Sequence, residues 1–335
     1  MIGRVLIFGR HRMYIVTGGA GMIGSAVIWK LNSLGITDIL VVDHLGCSEK
    51  WKNLVNRAFT DYMPRETFLE KIQTDSLAYT VDGIFHMGAC SSTTERDVDF
   101  LLRNNTEYTK TVIRYALEKG IRLINASSAA TYGNGAGGFD DDPAKLETLK
   151  PLNAYGYSKH LVDLWAKRTG FQNSFVSLKF FNVYGPNEYH KGDMRSVVVK
   201  AFGQVLEEGR ISLFASDKPE YADGGQMRDF VYVKDCADVI WWLMENAAVN
   251  GLFNLGTGKA RTWNDLAKAL FAAMGRPENI QYVPLPEKLH GKYQYFTEAS
   301  MARLADAGCP LPASSLEQGV TDYVQNYLMR DDPHL

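Results

Sequence analysis

The sequence predicts an α/β fold: a doubly wound parallel sheet with a smaller α+β C-terminal lobe. Three observations predict it. Apolar strand-like runs alternate with helix-like runs from Met13 to Phe181, the pattern of a parallel sheet covered by helices on both faces. A glycine-rich turn joins the first strand to the first helix. An acidic residue closes the second strand.

Taken in order, Met13–Thr17 is a short apolar strand, and Gly18–Gly24 is the glycine-rich turn. Met22–Leu34 has helical apolar spacing, with Gly35 just past its end. Ile39–Asp43 (ILVVD) is a second buried-type strand, and Gly83–His86 a short third. Asn104–Lys119 reads as a helix stopped by Gly120, which suits a left-handed cap. Leu123–Ala126 begins another strand, Tyr155–Thr169 another helix, and Ser174–Phe181 another strand. Beyond Phe181, Pro and Gly become frequent and Ser212–Asp229 is a long polar stretch. Phe230–Val233 and Phe253–Leu255 read as strands, Trp263–Met274 and Leu316–Leu328 as helices. The expected division is a first domain over 13–182 with returning segments near 230–258, and a lobe over 183–229 and 259–330. Residues 1–12 form an N-terminal extension, because Met13 begins a much better strand and the apolar part of MIGRVLIFGRHR is too short for a signal-peptide core.

Composition narrows the function. A chain of 335 residues with 46% hydrophobic and 22% charged residues can bury a large core. A formal net charge of -2 gives no bulk attraction to nucleic acid or membrane, so any anion site must be built locally. Cys47, Cys90, Cys236 and Cys309 are widely spaced, with no CxxC pair and no clustered histidines. That pattern argues against a zinc site or a disulfide framework and suits a reduced, cytoplasmic setting. No metal site is expected, and no apolar run is long enough to span a bilayer.

Thr17–Ser25 reads TGGAGMIGS, with glycines at Gly18, Gly21 and Gly24. The first permits a tight turn, the second lets backbone approach a pyrophosphate, and the third lets the helix pack on the strand. The helix N-terminus then faces the phosphate charge. Strand before, helix after and Asp43 nineteen positions past Gly24 complete a dinucleotide fingerprint. Asp43 favours NAD, since a carboxylate accepts from a free ribose 2′-hydroxyl and repels a 2′-phosphate. His44, Lys50, Lys52 and Arg65 could instead supply positive charge for NADP, and the residues leave both open.

Ala154–Lys159 reads AYGYSK. Tyr155 and Lys159, four apart on a helix, share a face, where an ammonium would lower the tyrosine pKa. Tyr157 points elsewhere. Ser128, in NASSAATYG at Asn125–Gly133, follows an apolar strand at the carboxyl end where such sheets place ligands, and could orient a substrate hydroxyl beside Tyr155.

Glycine fingerprint, strand-end serine and YxxxK in this order resemble the extended short-chain dehydrogenase/reductase family, which acts on nucleotide-activated sugars. FNVYGP at Phe181–Pro186, RDFVYVKD at Arg228–Asp235 and FNLGTG at Phe253–Gly258 extend the match along nearly the whole chain. The resemblance implies a Rossmann-type domain with a small substrate lobe. HMGACSSTTE at His86–Glu95, ASSAATYG at Ala126–Gly133, PLNAYGYSK at Pro151–Lys159, HKGDM at His190–Met194 and GKYQYFTEA at Gly291–Ala299 resemble the branch that epimerises C6 of an ADP-heptose for lipopolysaccharide. In that branch the residues matching Tyr155 and Lys191 are the acid/base pair, with Ser128 in support and Lys159 on the cofactor. Met22, Ile23, Asp43, His44, Lys50, Met87, Gly88, Ala89, Cys90, Ser91, Asn104 and Val183 match cofactor contacts, as do the glycines; Lys191 and Arg65 join them. Asn182, Phe214, Ala215, Ser216, Asp217, Arg228 and Tyr293 match substrate contacts, with Asp193 and Lys200 at positions where Ser and His are usual. The branch implies NADP, a homo-oligomer (a pentamer) and ADP-heptose as substrate.

There are departures. Glu is usual where Met87 stands, and Ser212–Asp229 is longer than usual. Asp193, two residues past Lys191, could pair with it and hold it charged, which would make a poor base. Rival readings are a sugar-nucleotide 4,6-dehydratase, opposed by Ala129 and Ala130 where an Asp-Glu pair belongs, a UDP-hexose 4-epimerase, which needs no base in the Lys191 loop, and a silent NADP-binding scaffold.

Overall fold

The computed structural model describes residues 13–287 and 293–335, so the 1–12 extension lies outside the described residues. The chain opens with β1 (Met13–Thr17), buried at every position, then α1 (Met22–Ser33) and β2 (Ile39–Asp43). A 3-10 turn over Glu49–Leu54 leads to β3 (Asp61–Pro64), α2 (Arg65–Gln73) and β4 (Val81–His86). Next come α3 (Val98–Leu101), a π-helical turn over Leu102–Glu107 and α4 (Tyr108–Glu118), then β5 (Arg122–Ser128), α5 (Ala154–Arg168) and β6 (Val176–Phe180). The later chain adds β7 (Asn182–Tyr184), α6 (Val197–Glu208), β8 (Ile211–Phe214), β9 (Met227–Tyr232), α7 (Val233–Glu245) and β10 (Gly251–Leu255). It ends with β11 (Ala260–Thr262), α8 (Trp263–Ala273), β12 (Ile280–Val283), α9 (Ala302–Asp306) and α10 (Leu316–Tyr323), which runs into a second π turn at Val324–Leu328.

Seven strands form one sheet in the order β10-β6-β5-β4-β1-β2-β3, all parallel. The order reverses between β1 and β4, and the crevice beyond their carboxyl ends is where such sheets bind ligands. Side chains alternate across the sheet. Val16, Val41, Phe85 and Leu178 pack with Ile28 of α1 and Ile240 of α7. Ile15, Leu40, Ile84 and Leu123 pack with Phe68 of α2, Val112 of α4 and Val162 of α5 on the other face. A third core joins Val198 and Phe202 of α6, Leu270 of α8 and Val320 and Tyr323 of α10 to Met22 and Ala26 of α1. The first helix therefore packs on the sheet with one side and on the C-terminal elements with another.

The parallel α/β expectation holds, with local differences. The edge strand β3 carries a mostly exposed face, so it shows no apolar run and escapes a periodicity search. The helix expected from Asn104 starts earlier and is interrupted by the π turn. The polar stretch Ser212–Asp229 contains most of β8 and the start of β9. Of the later strands, β10 joins the main sheet beside β6, whereas β9 lies between β11 and β7 in a three-stranded sheet and β12 pairs with β8. Among the described residues no helix is long and apolar enough to cross a membrane.

Candidate active site

At the reversal between β1 and β4 the glycine turn forms one wall of a cavity of about 470 Å³. Gly18 has φ +65°, and a Cβ there would collide with the backbone of Gly88 at the end of β4. A Cβ on Gly24 would collide with the Gly18 carbonyl oxygen, so the helix could not approach the strand. Gly21 is the N-cap of α1 and brings no side chain to its first-turn N–H groups. Met22, Ile23 and Gly24 line the cavity, so those donors face it, and the cradle suits a pyrophosphate.

Asp43 ends β2, 7% exposed. Its carboxylate accepts from the Ala20 N–H at 2.8 Å, the His44 N–H at 2.6 Å and Lys50 Nζ at 2.6 Å. The acidic residue thus organises the glycine turn and is paired with a cation, a partnership that strand and loop patterns do not reveal. Arg65 donates to Asn104 and pairs with Glu66, and with His44 and Lys50 it lines the same end of the cavity.

The opposite wall is α5. Asn153 caps it by accepting from the Gly156 N–H at 2.8 Å. A Cβ on Gly156 would lie 2.6 Å from the Ala130 carbonyl oxygen, so the glycine lets α5 press against the turn that follows Ser128. Tyr155, half-buried, is thereby held near the Ser128 hydroxyl, which favours its ionised form. Burial raises the phenol's pKa while that hydroxyl opposes the rise, so the lowering expected from Lys159 alone is not the outcome. Lys159 Nζ donates to the Ala126 carbonyl at 2.7 Å, and burial brings its pKa down to about 8, with Asp163 opposing. Tyr157 is 45% exposed, turned away as expected.

Residues that motif reading missed support this wall. Asn105, in the π turn, accepts from the Cys90 N–H and donates to the Cys90 carbonyl and to Ser158 Oγ. It staples the Met87–Ser91 loop to α5, and π turns are frequent at functional sites. His86 bridges Thr17 Oγ1 at 2.6 Å and Thr109 Oγ1 at 2.9 Å, and burial drops its pKa to about 3. Behind α5, Lys179 Nζ meets Asp163 at 2.7 Å and Thr131 Oγ1 at 2.6 Å, and Ser127 Oγ donates to the same carboxylate.

Lys191 enters the cavity from the loop after β7. Its Nζ lies 3.0 Å from Met22 Sδ, and burial lowers its pKa. The expected partner, Asp193, is exposed instead; its backbone carbonyl accepts from Lys200 Nζ at 2.6 Å.

Gly18, Gly21, Met22, Ile23, Gly24, Asp43, His44, Lys50, Arg65, Met87–Ser91, Asn104, Tyr155, Lys159 and Lys191 all line the one cavity. Val183 and Ser128 do not: Val183 packs between two cores, and Ser128 Oγ accepts from the Ala130 N–H at 3.1 Å in the turn beside the cavity. Phe214, Arg228 and Tyr293 gather in the C-terminal lobe. The Arg228 guanidinium lies 5.4 Å from the Tyr293 ring and 5.7 Å from the Trp263 ring, and Phe214 stands edge-on to Tyr293 at 6.1 Å. Asp217 is bonded with the Tyr295 hydroxyl, Ser216 N–H donates to Asp223, Ala215 N–H donates to the Val283 carbonyl, and Asn182 accepts from Thr297 Oγ1 at 3.5 Å. Trp263 had no motif to mark it; it follows β11, which pairs with β9, and its ring stands edge-on to Phe230 of β9 at 5.1 Å.

Residues 14–256 match the model of the NAD dependent epimerase/dehydratase family. The chain is 62% identical, over 96% of its length and the whole of the other protein, to an ADP-L-glycero-D-manno-heptose-6-epimerase of Nitratidesulfovibrio vulgaris. It is 48% identical, with 96% and 100% covered, to the protein of that name from Fusobacterium nucleatum. Among solved structures, the ADP-L-glycero-D-manno-heptose-6-epimerase of Helicobacter pylori superposes with a TM-score of 0.79 at 25% identity, over 95% of this chain and 96% of that one.

Proposed function

The chain belongs to the NAD dependent epimerase/dehydratase family, and on that footing we propose that it inverts C6 of the heptose in ADP-D-glycero-D-manno-heptose. The product is ADP-L-glycero-D-manno-heptose, formed through a transient 6-keto sugar. Similarity over nearly the whole chain to proteins named for that reaction supports it. The observation that carries it is the convergence of Tyr155 and Lys191, from separate segments, on one cavity. Hydride leaves and returns on opposite faces of C6, and two groups on opposite sides serve the hydroxyl proton of both epimers, whereas a UDP-hexose 4-epimerase has no need of a base in the Lys191 loop.

NADP is the proposed cofactor. When bound in its oxidised form it would supply a hydride acceptor for C6 and, once reduced, a donor to the opposite face. The glycine turn and the first turn of α1 would hold the pyrophosphate. Because Lys50 neutralises Asp43, the end formed by His44, Lys50 and Arg65 suits a 2′-phosphate. Lys159 would donate to the nicotinamide ribose. Ser128 would hold the C6 hydroxyl against Tyr155. Lys191, whose pKa burial lowers and whose amine has no carboxylate partner among the described residues, would exchange a proton on the other face. Arg228, Tyr293, Phe214 and Trp263 form a platform for the ADP moiety, with Ala215, Ser216, Asp217, Asn182, Asp193 and Lys200 as further substrate contacts. In this division 13–182 and the returning 230–258 serve the cofactor, and 183–229 with 259–330 serve the sugar nucleotide.

The setting we propose is cytoplasmic lipopolysaccharide inner-core synthesis by a homo-oligomer, a pentamer by resemblance; light scattering on the purified protein tests the assembly. The reaction is tested by incubating the protein with ADP-heptose and, separately, UDP-galactose, and scoring product stereochemistry. Inversion of the heptose alone is expected. Inversion of the hexose alone overturns the reading, as does wild-type turnover of Lys191→Met in both directions.

A further inference from the structure

We propose that Glu188 is the positioning residue for Lys191: its buried carboxylate closes the loop that carries the lysine and fixes the amine at the cavity. The inference rests on the reading of Lys191 as a proton carrier given above.

Glu188 is 1% exposed. Its carboxylate accepts from Ser196 Oγ at 2.6 Å, from the Ser196 N–H, from the Tyr323 hydroxyl at 3.1 Å and, at 3.5 Å, from the Gly185 N–H. Among the described residues it has no salt-bridge partner, so hydrogen bonds alone hold a carboxylate that is costly to bury. The donors are not scattered. Gly185 precedes the Tyr189–Met194 turn and Ser196 follows it, while Tyr323 belongs to α10. One carboxylate therefore ties the two ends of the Lys191 loop to each other and to the C-terminal lobe.

The rest of the loop is fixed to the cofactor side. Asn187, in left-handed conformation at φ +71°, donates to Ser25 Oγ of α1 at 2.8 Å, and Asn53 donates to the Asn187 carbonyl at 2.9 Å. Lys191 N–H donates to the Glu188 carbonyl at 3.1 Å, which sets the lysine one turn after the clamp. A loop closed at its base and nailed to α1 presents the amine beside Met22 without help from a regular element, and proton transfer tolerates little misplacement.

Charge gives the same residue a second effect. Burial lowers the Lys191 pKa and Glu188 opposes that lowering. The other ionisable groups around them are His190 of the same loop, Lys50 and Asp43 facing His190, Tyr155 and Lys159 across the cavity, and Tyr189 and Tyr323 against Glu188. A carboxylate that only stapled the fold would change stability and leave the pH profile alone.

The test uses the full chain with its bound cofactor and ADP-heptose as substrate. Glu188→Gln keeps the shape and loses the charge. The expected result is a kcat lower by about tenfold with KM within about twofold, the signature of a lost transition-state interaction. The kcat–pH limb that is missing in Lys191→Met should move to lower pH, and Glu188→Asp should return it toward the wild-type position. If Glu188→Gln fails to fold, Tyr323→Phe, which removes only the α10 tie, should lower kcat by about threefold or more at constant KM. A wild-type kcat and pH profile in a folded Glu188→Gln, or an unchanged kcat in Tyr323→Phe, overturns the inference. Full activity of Lys191→Met would instead sink the acid/base reading on which it rests.

Discussion

The amine of Lys191 lies 3.0 Å from the thioether sulfur of Met22, and not beside the carboxylate of Asp193 two residues away in sequence. A thioether is a weak acceptor and carries no charge, so it holds the amine without locking the proton on it. Lys191→Arg keeps the cation but cannot release a proton. Turnover should fall by about a hundredfold or more, as for loss of a general acid–base, while co-purifying cofactor is unchanged by absorbance. Turnover near wild type in Lys191→Arg would mean the residue acts only as a charge.

Lys50 should decide cofactor choice. Its removal leaves the Asp43 carboxylate without its neutralising cation and subtracts one charge from the end of the cavity proposed for a 2′-phosphate. For Lys50→Gln the expected NADP affinity is lower by about tenfold, since a hydrogen bond to a charged group contributes roughly 1.5–3 kcal/mol. NAD affinity should move by less than about twofold, because NAD carries no 2′-phosphate for Lys50 to meet. Calorimetric titration of cofactor-stripped protein measures both, and equal losses would remove Lys50 from discrimination.

Gly156→Ala is a one-carbon probe of the helix that carries Tyr155. The new Cβ would meet the Ala130 carbonyl oxygen at 2.6 Å, and backbone cannot yield as a flexible side chain does. Overpacking of this kind costs about 1–3 kcal/mol in denaturant unfolding. Because the displaced helix also carries Tyr155 away from Ser128, kcat should fall even where the protein is fully folded. A stable, fully active variant would show that the close approach is not needed.

His86 should make the fold acid-sensitive. Its pKa is about 3 in the folded chain against 6.5 for the free group, so only the unfolded chain binds the extra proton between those values. Stability is then complete above about pH 6.5 and lost progressively as pH falls toward 3, by at most roughly 5 kcal/mol. Asp141, raised by burial to about 6, acts in the opposite direction over part of that window, so the comparison must be between variants. Unfolding free energy plotted against pH should be flatter for His86→Asn than for wild type; parallel curves would exclude the histidine as the cause.

Lys179 and Asp163 are fully buried partners at 2.7 Å. Lys179→Met strands the carboxylate behind α5 and should cost about 3–5 kcal/mol in unfolding free energy. Adding Asp163→Leu should recover much of the loss, because no unpaired charge then remains. A double variant as unstable as the single one would place the damage in packing instead.

Local sequence was enough for much of this molecule. Strands β1 and β2 are continuous apolar runs because both their faces are buried, and the glycine turn between β1 and α1 is dictated by backbone that no Cβ can share. Tyr155 and Lys159 share a helix face by spacing alone. The exposed edge strand β3 and the strands within Ser212–Asp229 left no periodic signal, and the π turn carrying Asn104 and Asn105 lay in a stretch that reads as plain helix, since each is specified by neighbours distant in sequence.

What sequence alone determined, then, was the alternation that makes a parallel sheet, the glycine turn and the shared face of Tyr155 and Lys159, each fixed by residues within a turn or two of each other, while Lys191 was marked by resemblance alone. What only the tertiary structure decided was their electrostatic state. Asp43 turned out neutralised by Lys50, Lys191 free of Asp193, and Tyr155 raised by burial despite Lys159 on its own helix. Desolvation and hydrogen bonding depend on every element packed around a group, and those elements meet only when the chain has folded.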